Sequence, residues 1–92
     1  MTVRRISVNN VTFGNDLPFV LIAGPCQVES RDHSLFMAER LINITEKLGI
    51  AFIYKSSYDK ANRTSISGKR GLGLLKTLPI FEEIRHNLGV SV

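Results

Sequence analysis

Ninety-two residues can form one small domain with a modest core, and a composition of 43% hydrophobic and 22% charged residues is that of an ordinary globular chain. Its apolar runs are far too short to cross a bilayer, and no signal-peptide core follows the first ten residues. The single cysteine, Cys26, excludes an internal disulfide framework and fits a reducing cytoplasm. The formal net charge of +4 is local, because residues 55–70, KSSYDKANRTSISGKR, carry five basic side chains and one acid. Outside that run, seven basic side chains balance seven acids. A pI near 9.6 raises the question of nucleic acid. Against it, the excess sits in one segment with Tyr58 as its lone aromatic, and no nucleic-acid motif is present.

In chain order, residues 3–8 and 10–13 alternate as two short strands around Asn9-Asn10, which predicts an N-terminal hairpin over residues 1–13. Phe19–Ala23 is a continuous apolar run, suited to a strand covered on both faces, and Gly24-Pro25 stops it. Ser30 is the expected N-cap of a helix with Asp32 in its first turn. Leu35, Ala38, Leu41, Ile42, Thr45 and Leu48 form its apolar stripe, and Gly49 closes it. Ile50–Tyr54 is a second buried strand, ending at Lys55.

After the basic run, Leu74, Leu78, Phe81, Ile84 and Leu88 predict a second stripe ending at Gly89. Pro79 lacks an N–H and belongs in a first helical turn, so this helix is expected to start near Thr77 or to kink there. Val90-Ser91-Val92 has the pattern of a third strand opening. Strands alternating with helices predict a parallel α/β fold. Two parallel strands and a stub cannot cover a sheet, so the chain is expected to be the first piece of a larger domain.

The chemistry gathers where two strands end: GPCQVES after the first and KSSYDKANRTS after the second. Parallel α/β folds place their sites at those carboxyl ends. Arginine offers phosphate a rigid bidentate fork, lysine a movable charge, and hydroxyls further contacts, so the basic run predicts a site for a small, multiply anionic ligand. The plainer alternative is a solvated basic loop. Cys26 is either a metal-ligating thiolate or a small buried hydrophobe. His33 and His86 are expected on the surface, and Glu29 reads equally as a base or as a first-turn acid.

The strings IAGPCQVES and IYKSSYDKANRTSISGKRGLGL resemble the 3-deoxy-D-manno-octulosonate 8-phosphate synthases, from about Leu17 to the last residue. KANRTS after a strand-ending lysine is the most specific part. The resemblance implies a (β/α)8 TIM barrel opening with a small hairpin, of which this chain would hold the hairpin and the first βαβα units over 17–92. It implies condensation of phosphoenolpyruvate with arabinose 5-phosphate, releasing phosphate, in lipopolysaccharide sugar biosynthesis. Lys55 and Lys60 would hold phosphoenolpyruvate with Ser57 beside it, and Lys60 would also act catalytically at the aldehyde oxygen. Asn62 would orient the pentose hydroxyls, while Arg63 and Thr64, a position usually serine in the family, would take its phosphate.

The cysteine of GPC marks the metal-dependent members, so Cys26 would ligate a divalent transition metal ion whose other ligands come from later strands. Such an enzyme would be a cytoplasmic homo-oligomer when complete, with no nucleic-acid or membrane partner, and this segment alone would be inactive. The nearest enzymatic alternative is a 3-deoxy-D-arabino-heptulosonate 7-phosphate synthase. That family places a proline before the loop arginine, where this chain has Asn62 before Arg63. The non-enzymatic alternative is a small anion-binding module.

Overall fold

The computed structural model describes residues 4–59 and 72–92. Strands β1 (Arg5–Val8) and β2 (Val11–Gly14) form the expected antiparallel hairpin, turning at Asn9-Asn10 with Asn9 at φ 52°. Asparagine tolerates this left-handed backbone better than most residues. Strand β3 (Val20–Ala23) pairs in parallel with β4 (Ala51–Tyr54), Val20 opposite Ala51 and Ala23 opposite Tyr54. Beyond β4, Ser91 bridges to Ile53 in parallel, and its carbonyl accepts from the Tyr54 amide at 2.8 Å. β4 is thus flanked by β3 and by the opening of a third parallel strand.

Helix α1 (Arg31–Leu48) links the two parallel strands. Its ends follow from the sequence: the Ser30 hydroxyl accepts from the His33 amide at 3.1 Å, and Gly49 adopts the left-handed conformation at φ 67°. The buried stripe includes Ala38 and Thr45, with Leu35, Leu41 and Ile42 half-buried, but Leu48 is 66% exposed. Ser34, near the start of the helix, is fully buried.

Helix α2 (Leu74–Asn87) departs further from expectation. It begins before Thr77 and runs through Pro79. The carbonyl that Pro79 leaves without a donor belongs to Leu75, which is 85% exposed, so water can take that bond. Thr77, Ile80 and Ile84 form the buried face, whereas Leu74 and Leu78 are exposed. An apolar stripe drawn through leucines passed over the threonine that faces inward.

The core joins Val28, Ala38, Phe52, Tyr54, Ile80 and Ile84, with Leu21 and Ala23 packed against it. Alternation along the strands puts Leu21, Ala23, Phe52 and Tyr54 on one face, and both helices lie there. Ile22 lies opposite Ile53 on the other face and is 53% exposed. Among the described residues, helices cover one face of the sheet only, the arrangement of a singly wound α/β unit. Arg31 ties the helices together, its Nε and Nη2 donating to the Glu83 carboxylate oxygens at 2.8 and 2.5 Å.

Candidate functional site at the strand ends

Both parallel strands run out at the same end, and the segments that follow stay bonded. The Lys55 amide donates to the Ala23 carbonyl at 3.0 Å, the Ser57 amide to Cys26 at 3.4 Å, and the Val28 amide to Ser57 at 2.9 Å. The Ser56 hydroxyl donates to the Pro25 carbonyl at 2.7 Å. This ladder brings together three of the residues expected in the site: Cys26, Lys55 and Ser57. The positions flanking the central basic run are held at the same place. The Leu72 amide donates to Val28 at 3.1 Å and the Gly73 amide to Tyr58 at 2.8 Å. Lys60, Asn62, Arg63 and Thr64 lie outside the described residues.

Lys55 is exposed and Ser57 half-buried. Cys26 is exposed and free of any disulfide, so its small-buried-hydrophobe alternative does not hold. An exposed thiol on a rigid backbone suits a metal donor, but among the described residues no group of three or more His, Cys, Asp or Glu side chains could hold an ion. The described residues therefore contain no complete donor set, and Cys26 is their single candidate thiolate ligand. His33 stands 3.8 Å from Glu29, and His86, near the end of α2, 3.7 Å from Glu82. Among the described residues, neither histidine belongs to a group that could hold an ion.

An apolar hollow of about 330 Å³ opens at this end, lined by Ile22, Ile53, Tyr54, Lys55, Ser56, Phe81 and Val92. Lys55 and Ser56 add polar groups to a lining that is otherwise aliphatic and aromatic. A larger hollow of about 460 Å³ lies between the hairpin and the start of β3, at the opposite end of the strands. Tyr54, 1% exposed, meets Phe81 edge-on with centroids 6.2 Å apart. Burial pushes its hydroxyl above the usual phenol range, and the nearby Ser34 hydroxyl opposes the shift without reaching hydrogen-bond geometry.

Three residues were not singled out by the sequence. A Cβ at Gly24 would overlap the Lys55 carbonyl oxygen, so only glycine lets the two segments approach this closely. Gln27 is 5% exposed and pairs with Ser57, its side-chain oxygen buried without a partner among the described residues. Ser56 is one of many hydroxyls in the basic run. Their positions within GPCQ and KSS were visible, but their contacts cross between segments and leave no local pattern.

The sequence profile of the DAHP synthetase I family matches residues 3–92. The chain belongs to that family. Its relatives include the proteins named 2-dehydro-3-deoxyphosphooctonate aldolase from Rickettsia felis, 62% identical, and Rickettsia typhi, 64% identical, each over 87 residues. That match covers 95% of this chain and 32% of each relative. The Rickettsia canadensis protein of the same name is 60% identical over 80 residues, which is 87% of this chain and 29% of its own length. The chain thus spans about a third of the curated relatives it matches. An octonate bearing a 2-oxo group and lacking the 3-hydroxyl is an octulosonate, so these names agree with the resemblance drawn from GPCQVES and KANRTS. No described helix is long and apolar enough to cross a membrane.

Proposed function

We propose that this chain is the amino-terminal segment of a metal-dependent 3-deoxy-D-manno-octulosonate 8-phosphate synthase with a (β/α)8 barrel. One observation carries the reading. The GPCQV segment and the Lys55–Ser57 segment are laced together at the carboxyl ends of parallel strands, where such folds place their chemistry. Relatives about 60% identical bear the octonate name. Helices confined to one sheet face suit the wall of a barrel, whose inner face would be the side carrying Ile22.

In this reading carbon 3 of phosphoenolpyruvate attacks the aldehyde carbon of arabinose 5-phosphate, water adds at carbon 2, and inorganic phosphate leaves. Lys55 binds phosphoenolpyruvate with Ser57 beside it. Lys60 shares that task and stabilises the charge that develops on the aldehyde oxygen. Asn62 orients the pentose, and Arg63 with Thr64 holds its phosphate. Cys26 supplies one ligand to a divalent transition metal ion, which would bring Lewis-acid polarisation to the site. The other ligands would come from the portion of the relatives that this chain does not span. The complete enzyme would be a cytoplasmic homo-oligomer.

The test joins residues 1–92 in frame to the remaining two thirds of the Rickettsia felis relative. Phosphate release is then measured with phosphoenolpyruvate and either arabinose 5-phosphate or a four-carbon aldose phosphate. Three carbons plus five make the eight-carbon product, so activity with the pentose is expected. Preference for the four-carbon sugar would shift the reading to the heptulosonate synthase, and inactivity with both would overturn it. Residues 1–92 alone are expected to give no turnover, because the one-sided sheet lacks the remaining barrel strands.

A further inference from the structure

The pairing of the two parallel segments changes step just past the strands. From Val20–Ala51 to Ala23–Tyr54, partners stand 31 residues apart, whereas Gln27 and Ser57 pair at a separation of 30. One residue is therefore surplus on the first segment, and it falls at Pro25-Cys26, opposite Ser56. The step also inverts side-chain alternation. Leu21 and Ala23 face the helices, and after the surplus residue Val28 does so, fully buried, while Cys26 is exposed. A bulge of this kind re-aims a side chain and is favoured beside functional sites.

The backbone bonding is weakest at this step. Pro25 has no N–H to give to the Lys55 carbonyl, and the Ser57-to-Cys26 bond is stretched to 3.4 Å, against 3.0 and 2.9 Å on either side. The Ser56 hydroxyl spans the gap at 2.7 Å, in a half-buried position. Its acceptor is the carbonyl of the peptide plane that contains the Cys26 nitrogen. Because that plane is rigid, holding the oxygen also holds the first backbone bond of Cys26.

We propose that Ser56 is a positioning residue for Cys26, its hydroxyl closing the register step and setting the direction in which the thiol leaves the backbone. This rests on Cys26 being a site residue, as read above. Losing one neutral hydrogen bond corresponds to about a two- to tenfold change in an equilibrium it biases.

The experiment uses the joined protein and its Ser56→Ala, Ser56→Thr and Ser56→Val variants, with folding followed by circular dichroism. The first readout is the rate at which iodoacetamide alkylates Cys26 in metal-free protein, resolved by peptide mass spectrometry. The rate is expected to rise about two- to tenfold in Ser56→Ala and Ser56→Val and to stay near the parent value in Ser56→Thr. The second is cobalt(II) affinity, followed by the thiolate-to-cobalt absorption band, which should weaken by a similar factor in the same two variants. Should Ser56→Ala fail to fold, the isosteric threonine and valine variants decide, since they differ by the hydroxyl. Unchanged alkylation in the hydroxyl-free variants would overturn the proposal. So would a threonine variant that behaves like valine, or unfolding of both hydroxyl-free variants, which would make Ser56 a stability residue. Absence of the cobalt band in the parent would instead remove the metal reading of Cys26, and alkylation would still decide the role of Ser56.

Discussion

Gly24 and the Lys55 carbonyl occupy adjoining space, with no room at position 24 for a Cβ. Backbone, not a movable side chain, is what a substituent would strike. Gly24→Ala in the joined protein should therefore force the two segments apart. Overpacking of this kind costs about 1–3 kcal/mol, to be seen as a lower melting temperature together with a fall in kcat. A variant as stable and active as the parent would show that the segments tolerate separation.

Arg63 and Lys60 should separate kinetically. If Arg63 holds the pentose phosphate as proposed, Arg63→Ala should raise the KM for arabinose 5-phosphate strongly, with about 2–4 kcal/mol of transition-state stabilisation lost with a bidentate contact. Lys60→Ala should act mainly on kcat if, as proposed, its charge matters most as the aldehyde oxygen becomes anionic. Steady-state kinetics on both variants checks the assignment, which an unaltered pentose KM in Arg63→Ala would sink.

If Cys26 ligates a metal as proposed, the joined enzyme's activity should depend on that metal. Exhaustive chelation should abolish turnover, and a divalent transition ion should restore it. Cys26→Ser should lower metal content without unfolding the protein. Cys26→Asn should harm activity less than the serine change if asparagine serves in the metal-free branch of the resembled synthases. Elemental analysis beside each assay separates lost metal from lost fold; full activity in metal-free parent would refute the ligand role.

The Arg31–Glu83 bridge should give a defined acid dependence. The Arg31 side-chain hydrogen bond holds the Glu83 carboxyl below its usual range. A carboxylate whose folded pKa is depressed adds stability above its unfolded pKa, about 4.3, and loses it as pH falls through the folded value. Glu83→Gln should thus lower the melting temperature at pH 7, and the gap from the parent should close toward pH 3. The Arg31 side chain is 57% exposed and that of Glu83 24%, so water and ions reach the bridge and added salt should narrow the gap at pH 7 as well. A gap independent of pH would assign the effect to packing.

Much of the local structure was legible because its causes are local. Asn9-Asn10 turns the hairpin, Ser30 and Gly49 bound α1, and continuous apolar runs mark β3 and β4, each through backbone preferences or side-chain periods spanning a few residues. The family signature was legible in the same way, since GPCQVES and KANRTS are contiguous strings. The face of α2 was legible only in part: Phe81, Ile84 and Leu88 were placed inward, but the stripe ran through Leu74 and Leu78 instead of Ile80, and Thr77 carries no hydrophobic signal.

The sequence by itself determined the order of elements, the location of the positive charge and the family. Tertiary structure alone decided how the two strand-end segments meet: the one-residue step at Pro25-Cys26, the need for glycine opposite the Lys55 carbonyl, and the choice of Ser56 among neighbouring hydroxyls as the one that bonds Pro25. It also decided that α2 runs through Pro79, since that depends on whether water can reach the Leu75 carbonyl. Register between segments some thirty residues apart is set by hydrogen bonds and close contacts across them. Neither leaves a periodic trace along the chain.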